Sequence, residues 1–283
     1  MQLEEYKHYL FRKEVVKIAI LLMALVLLFL PVLKPLFKDL YENSNNSHGL
    51  IVPFVSLFLV WRKRTAINVF PAQTSQIGLM VLVFSLILYV VSYAGRIEVV
   101  PRGAFVTAIL GIVLYVSGKN IFSQIIFPLF FLYFMIPVPV SIESLVSLKL
   151  QLWVTQISST ILNLFSIAVL REGNILYFAN CSLEVAEACS GIRSLMAFIM
   201  IGCLFGYLMN GSLLKRSFMP LFAVPMAFLV NVARVTGTGV LAYFYGSGVA
   251  RGFLHEFSGI AVFIVGMVLY FCIYQLMERE WSK

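Results

Sequence analysis

An all-α polytopic membrane protein is the fold class this sequence predicts, and three observations predict it. Apolar residues make up 61% of the chain and charged residues only 12%. The mean hydropathy is +0.94, too high for a soluble globular domain. Apolar runs of bilayer scale recur along the whole length, separated by short turns that collect Gly, Pro and charge. No repeat or low-complexity linker interrupts them, so a single integral-membrane domain is expected over residues 1–283. A formal net charge of +8 would point to nucleic acid in a soluble chain. Here the basic residues flank helix ends, which excludes nucleic acid and makes membrane lipid the expected surroundings. Cys181, Cys189, Cys203 and Cys272 lack metal-ligand spacing to any histidine, so neither metal nor cofactor is expected.

Lys7, Arg12, Lys13 and Lys17 place the N-terminus in the cytoplasm. The run 18–30 reads as an uncleaved first span, because no small-residue cleavage site follows and Pro31 and Pro35 break it. Residues 39–47, polar and Asn-rich, read as an outside loop. His48-Gly49 opens a second apolar run that returns to the cytoplasm at Trp61-Arg62-Lys63-Arg64, and residues 77–94 go out again. An outer loop should hold Arg96, Glu98, Arg102 and Gly103. Residues 104–117 go in, Gly118-Lys119-Asn120 turns, and 121–136 comes out at Pro137-Val138-Pro139.

The segment 142–170 is patterned differently. Ser144, Ser147, Gln151, Thr155, Ser158, Ser159, Asn163 and Ser166 form one polar stripe, opposed by Leu145, Leu148, Leu152, Ile157, Ile161 and Leu164. This predicts an amphipathic helix that lies in the interface or lines a groove, and the in–out count favours a helix that does not span. Residues 174–178 and 182–186 predict a small exterior hairpin turning near Ala179-Asn180. Residues 191–208 run inward, Lys215-Arg216 marks a cytoplasmic loop, and 218–235 run outward. A Gly-rich outer connection follows over 236–254. His255 heads the last span, 257–275, which ends inside. The expectation is about eight transmembrane helices plus the amphipathic helix and the hairpin, with both termini cytoplasmic.

Three residues acquire meaning from this topology. Cys189 begins an inward span, Arg234 ends an outward one and His255 begins another inward one, so all three fall at one depth on the outer face. Ser190 is a good N-cap, and a thiol at a helix N-terminus feels the positive end of the dipole, which favours thiolate. A thiol, an imidazole and a guanidinium together suit acyl transfer: nucleophile, proton shuttle and oxyanion partner. Each alone has a plain structural reading. Cys189 can be a small buried residue or pair with Cys181, Arg234 can snorkel to phosphate, and a lone interfacial histidine is commonly structural.

Glu187-Ala188-Cys189-Ser190-Gly191-Ile192-Arg193, Asn231-Val232-Ala233-Arg234 and His255-Glu256-Phe257-Ser258-Gly259 resemble the three signature blocks of the exosortase/archaeosortase family. His48-Gly49, the basic end of its span and Ile136-Pro137-Val138-Pro139 are similar to family features too. The resemblance runs from residue 48 to the last span, and His255 is similar to the bacterial exosortases.

The resemblance implies a membrane cysteine protease or transpeptidase of the cytoplasmic (inner) membrane, with its site on the outer face. Its partners would be secreted proteins with a C-terminal sorting tail, made of a Pro-Glu-Pro-like motif, a membrane helix and a basic end. A thioester at Cys189 would pass the cargo to a cell-envelope lipid or glycan acceptor. Arg193 is the first candidate to meet the motif carboxylate, with Arg102 and Arg251 behind it. Glu187, Asn231 and His48, in the resembling segments, are also expected to bind substrate. Two rival readings stand beside this one: a non-enzymatic subunit of polysaccharide export or transport, and an intramembrane protease that only hydrolyses. Every Asp and Glu falls in a loop or near a helix end, which disfavours ion-coupled transport.

Overall fold

Proline and a buried aromatic cluster decide the first bend of the chain. The computed structural model describes residues 2–67, 73–185, 191–246 and 253–281, with side chains described from residue 15 on except at 66, 253–258 and 280–281. Helix α1 (Gln2–Leu28) is followed by α2 (Leu30–Glu42), and the apolar part of α1 meets α2 at 80°. Pro31 lacks an N–H, and the bend leaves the Leu28 carbonyl outside the helical ladder. Tyr89 donates to that carbonyl at 3.3 Å, while Phe29, fully buried, packs against the Tyr89 and Phe105 rings. The expected outer loop therefore starts later than read. Residue 39 still lies in α2, which buries Val32, Leu33, Leu36 and Leu40 on one face.

The described residues fall into two compact units, Met1–Pro139 and Val140–Lys283. In the first, a 3-10 turn at Ser47–Leu50 leads into α3 (Val52–Arg62), then α4 (Arg64–Ile67), α5 (Gln76–Ala94) and α6 (Val99–Phe131). Arg102 and Gly103, read as loop, are helical. Gly118 has φ 76° and ψ 174°, and there α6 folds back. The hydroxyls of Thr107 and Tyr133 lie 2.7 Å apart; along a straight helix they would be about 39 Å apart. The turn expected at residues 118–120 is thus where the hairpin reverses. Glycine is required there, since a Cβ would lie 2.1 Å from the Gln73 carbonyl oxygen. Small residues also let α5 and α6 touch backbone to backbone, Gly78 against Tyr115 and Gly111 against Leu82.

The second unit opens with α7 (Val140–Leu164), whose polar stripe faces inward along its middle, with Ser144, Asn163 and Ser166 at its ends exposed. Ser147, Gln151, Thr155, Ser158 and Ser159 are buried, while Leu145, Leu148, Ile157 and Leu164 are exposed. The buried hydroxyls of Thr155 and Ser158 donate to backbone carbonyls, the latter to Val232 on the helix alongside. That neighbour is α9 (Leu213–Tyr245), and the contacts climb together: Ser158 with Val232, Leu162 with Gly239. The two helices run parallel, so α7 packs along α9 and lines a groove with it, one of the two placements its amphipathic pattern predicts. It is not among the helices long and apolar enough to cross a membrane.

The helix also stops earlier than expected, at Leu164. Ser166 takes φ 62°, Ile167 N–H bonds to Leu162 O and Ser166 N–H to Asn163 O, which closes a Schellman motif. The freed residues form β1 (Leu170–Glu172), which joins β2 (Ile175–Tyr177) and β3 (Ser182–Glu184) in an antiparallel sheet of order β1-β2-β3. The hairpin is therefore a three-stranded sheet, with Tyr177 opposite Ser182 and the turn at residues 179–180.

The sheet changes the fate of α9. Residues 236–245, read as a Gly-rich loop, continue the helix because they are packed. Leu176, Phe178 and Leu183 of the sheet join Val154 and Leu162 of α7 and Val235 and Ala242 of α9 in one core. Helices α8 (Ile192–Leu208) and α10 (Phe253–Trp281) complete the unit. Helix α8 runs antiparallel to α9, with Gly202 against Pro220 and Gly206 against Arg216. Tyr270 of α10 donates to the Met219 carbonyl, and Glu278 accepts from Asn210.

Among the described residues, four helices are long and apolar enough to cross a membrane: Gln76–Ala94, Val99–Met135, Leu213–Tyr245 and Gly259–Arg279. The bent pair of α1 and α2 makes a fifth if counted as one span. The expected count of eight is not confirmed by length and composition: Val99–Met135 counts once although it reverses at Gly118 into two arms, and the apolar helices Ser47–Arg62 and Ile192–Leu208 are shorter. At 33 residues α9 is about 50 Å long, well over the ~30 Å hydrocarbon core, so one end stands clear of it.

Candidate functional site

Two glycines locate the site within the second unit. Gly191 is the N-cap of α8, with φ 81°, a left-handed conformation that favours glycine. Its Cα is covered by Asn231 of α9, since a Cβ there would lie 2.7 Å from Asn231 Nδ2. Asn231 is itself 3% exposed. The helix start is tied down locally, as Leu195 N–H and the Ser194 hydroxyl both donate to the Gly191 carbonyl at 2.8 Å. Gly259 of α10 plays the matching part on the other side. The Arg234 guanidinium lies on its backbone, with Nη2 and Cζ 2.9 Å from where a Cβ would be.

The sequence-predicted residues are placed by these contacts. Cys189 and Glu187 lie outside the described residues, but Gly191, two positions after Cys189, sits on Asn231, one turn before Arg234. His255 falls in helical α10, one turn before Gly259, where Arg234 rests; its side chain is not described. The described members of the three blocks thus meet in pairs, Gly191 against Asn231 and Arg234 against Gly259. Arg234 is no longer at a helix end, yet it stands about 32 Å along α9 from Leu213, a bilayer thickness from the Lys215-Arg216 end. It is half-buried, and its Nε is buried without a hydrogen-bond partner among the described residues.

Arg193 is exposed in the first turn of α8. Cys181 carries a free thiol that donates to the Ala242 carbonyl at 3.4 Å. Arg251 lies outside the described residues.

Arg102 and His48 belong to the first unit. Arg102, 8% exposed, holds Asp39 through Nη1 at 3.0 Å, and Asn46 donates to the other Asp39 oxygen at 3.3 Å. Its expected role as a substrate-facing exterior arginine meets an existing ion pair. Sequence reading missed Asp39, because nothing local signals a partner 63 positions away. His48 stands in the 3-10 turn ahead of α3, and its Nδ1 is buried without a hydrogen-bond partner among the described residues. Next to it, Gly49 lets the turn lie against Leu40 and the Met135 backbone.

The family model described as transmembrane exosortase (Exosortase_EpsH) matches residues 40–272, a range that holds every candidate residue named above. No curated protein and no solved structure matches the chain.

Proposed function

The chain belongs to the transmembrane exosortase family, a family of membrane transpeptidases, and from that premise we propose that it works through Cys189. The thiol gives its proton to His255, and the thiolate attacks a peptide carbonyl of a secreted protein just ahead of its membrane tail. Arg234 stabilises the oxyanion. The C–N bond breaks, the imidazolium returns the proton to the leaving amine, and the cargo is held as a thioester. An amine or hydroxyl of a cell-envelope lipid or glycan then resolves the thioester and frees the thiol.

The observation that carries this reading is the seat of Arg234. Its guanidinium lies on Gly259, one turn from His255, on the helix whose Asn231 covers the turn that follows Cys189. A cation placed there with an unused Nε is suited to charge that develops during reaction. The basic N-terminus and the Lys215-Arg216 end support a site on the outer face of the cytoplasmic membrane. The test is a secreted reporter with a C-terminal motif, helix and basic tail. Cells with the wild-type chain should shorten it, and Cys189→Ala should leave it full-length. A thioester trapped by hydroxylamine in the wild type and missing in Cys189→Ala would identify the nucleophile. Normal processing by Cys189→Ala would sink the reading.

A further inference from the structure

The first unit holds a polar notch where α5 begins, and the reaction proposed for Cys189 makes no use of it. Residues 73–77 form one side and residues 117–120 the other, around a volume of about 350 Å³. The two sides are pinned together. Ser75 N–H donates to the Tyr115 carbonyl at 3.1 Å, and the Gln73 carbonyl lies on the backbone of Gly118.

Three features of the notch favour an anion. Helix α5 starts there without a side-chain cap, and the N–H groups of Gln76 and Ile77 precede its first helical bond, from Gly78 N–H to the Ser75 carbonyl. They have no acceptor among the described residues and form the positive end of the helix dipole. Ser75 is the second feature. It is 9% exposed and both its backbone groups are engaged, yet its hydroxyl has no hydrogen-bond partner among the described residues. A serine in this position ordinarily turns back to cap its helix; this hydroxyl is left to the notch that the residue lines. The third is Lys119, exposed at the rim and in no ion pair among the described residues. The acidic side chains described in this unit are Asp39, Glu42 and Glu98, and they gather at the start of α6, around Arg102. About 24 Å of helix separates Arg102 from Gly118, so no described carboxylate competes for the notch.

Depth and surroundings select the anion. Helix α5 has 19 residues and is about 28 Å long, close to the ~30 Å hydrocarbon core. Its first residue therefore falls at the boundary where phospholipid phosphates lie. Gly49 meets Met135 and the Ser56 hydroxyl donates to the Pro128 carbonyl, so α3 and the second arm of α6 run antiparallel. That pairing brings the basic run Arg62-Lys63-Arg64 to the same end of the unit as Lys119, the end that faces the cytoplasm by charge bias. We propose that the notch binds a phosphate group, received by the N–H groups of Gln76 and Ile77, the Ser75 hydroxyl and Lys119. The group belongs to a phospholipid of the cytoplasmic leaflet or to phosphate in solution at that face, and the receiving chemistry is the same for both. The site lies within the first unit and stands whatever the chemistry of Cys189 proves to be.

The experiment follows amide hydrogen exchange of the purified full-length chain in maltoside micelles. Dioctanoyl phosphatidylglycerol should slow exchange at Gln76 and Ile77 by roughly fivefold or more, and dioctanoylglycerol, which has no phosphate, should not. Inorganic phosphate is the second arm. Protection by millimolar phosphate equal to that by the lipid assigns the site to phosphate in solution, and protection by the lipid alone assigns it to a headgroup. Lys119→Gln should raise the half-saturating concentration about tenfold, the loss of one charge-assisted hydrogen bond. Gln76→Pro removes one receiving N–H at the first helical position, which proline tolerates. Ser75 already has the extended backbone, φ −119° and ψ 116°, that suits a residue before proline. That variant, read at Ile77, should weaken binding by a similar factor. Unchanged exchange in α8 shows that each variant is folded. The proposal is overturned if neither phosphate compound protects Gln76 and Ile77, or if dioctanoylglycerol protects them equally. Half-saturation unchanged in both variants overturns it too.

Discussion

Arg102 and Arg234 are both guanidinium groups on long apolar helices, and the two units hold them in opposite ways. Arg102 is buried and closes an ion pair with Asp39, whose second oxygen takes the Asn46 amide. Arg234 is half-buried, lies on the bare backbone of Gly259, and keeps a buried Nε with no hydrogen-bond partner among the described residues. A charge in a membrane protein must find a partner or a use. The first arginine has its partner and clasps α2 to α6. The second keeps a donor, Nε, that none of the described residues engages. Loss of Arg102 should therefore appear in stability, and loss of Arg234 in chemistry.

The largest expected effect lies at the reactive set. Cys189→Ala should abolish reporter processing, whereas Cys181→Ala should retain most of it, since that thiol is free, donates to the Ala242 carbonyl and packs at the edge of the core. Equal loss from both would favour a structural disulfide. Arg234→Lys keeps the charge but loses the planar fork, and the rate should fall by about 10²–10³ at normal abundance. His255→Ala should lose about 10²–10⁴ through proton transfer. Wild-type processing by either variant would remove that residue from the site.

Arg102→Gln should show the reverse pattern. It strands the Asp39 carboxylate, which keeps some access to water, and should cost about 2–4 kcal/mol. A thermal-shift assay should report a lower midpoint, with processing per folded molecule unchanged. Asp39→Asn in the same chain should recover part of the loss. An activity defect at full stability would move Arg102 into the substrate-facing set and break the comparison.

Gly191→Ala sharpens it from the other side. A Cβ at φ 81° costs about 1–2 kcal/mol and also meets Asn231. Processing should drop about tenfold, and adding Asn231→Ala should restore the steric part. No rescue would give Asn231 a role beyond packing. The smallest change is Ser166→Gly, at the left-handed residue that ends α7. It should stabilise the second unit by about 1 kcal/mol or less, measured by denaturation, and leave processing untouched.

Much of this was legible in the chain itself. The membrane class, the turn at Gly118 and the sheet turn at residues 179–180 all follow from hydropathy, glycine placement and basic end-residues. Such signals are complete within a short window, because a backbone group that lacks water must be satisfied by its own helix or turn. The family was legible as well, since its blocks are contiguous.

Long-range contacts decided the rest. Residues 236–245 look like a loop because Thr236-Gly237-Thr238-Gly239 has weak helix propensity. They are helical because Leu162 and the sheet pack on that small-residue face. The polar stripe of α7 left open which side would face the protein, and the packing on α9 turned it inward. Asp39 read as loop until its distance to Arg102 made it a clasp. Periodicity and charge determined that helices exist and roughly how deep their ends lie. Which faces meet, and which charges are left unpaired, depends on side chains far apart in sequence, and only the folded packing brings these to within a few ångströms.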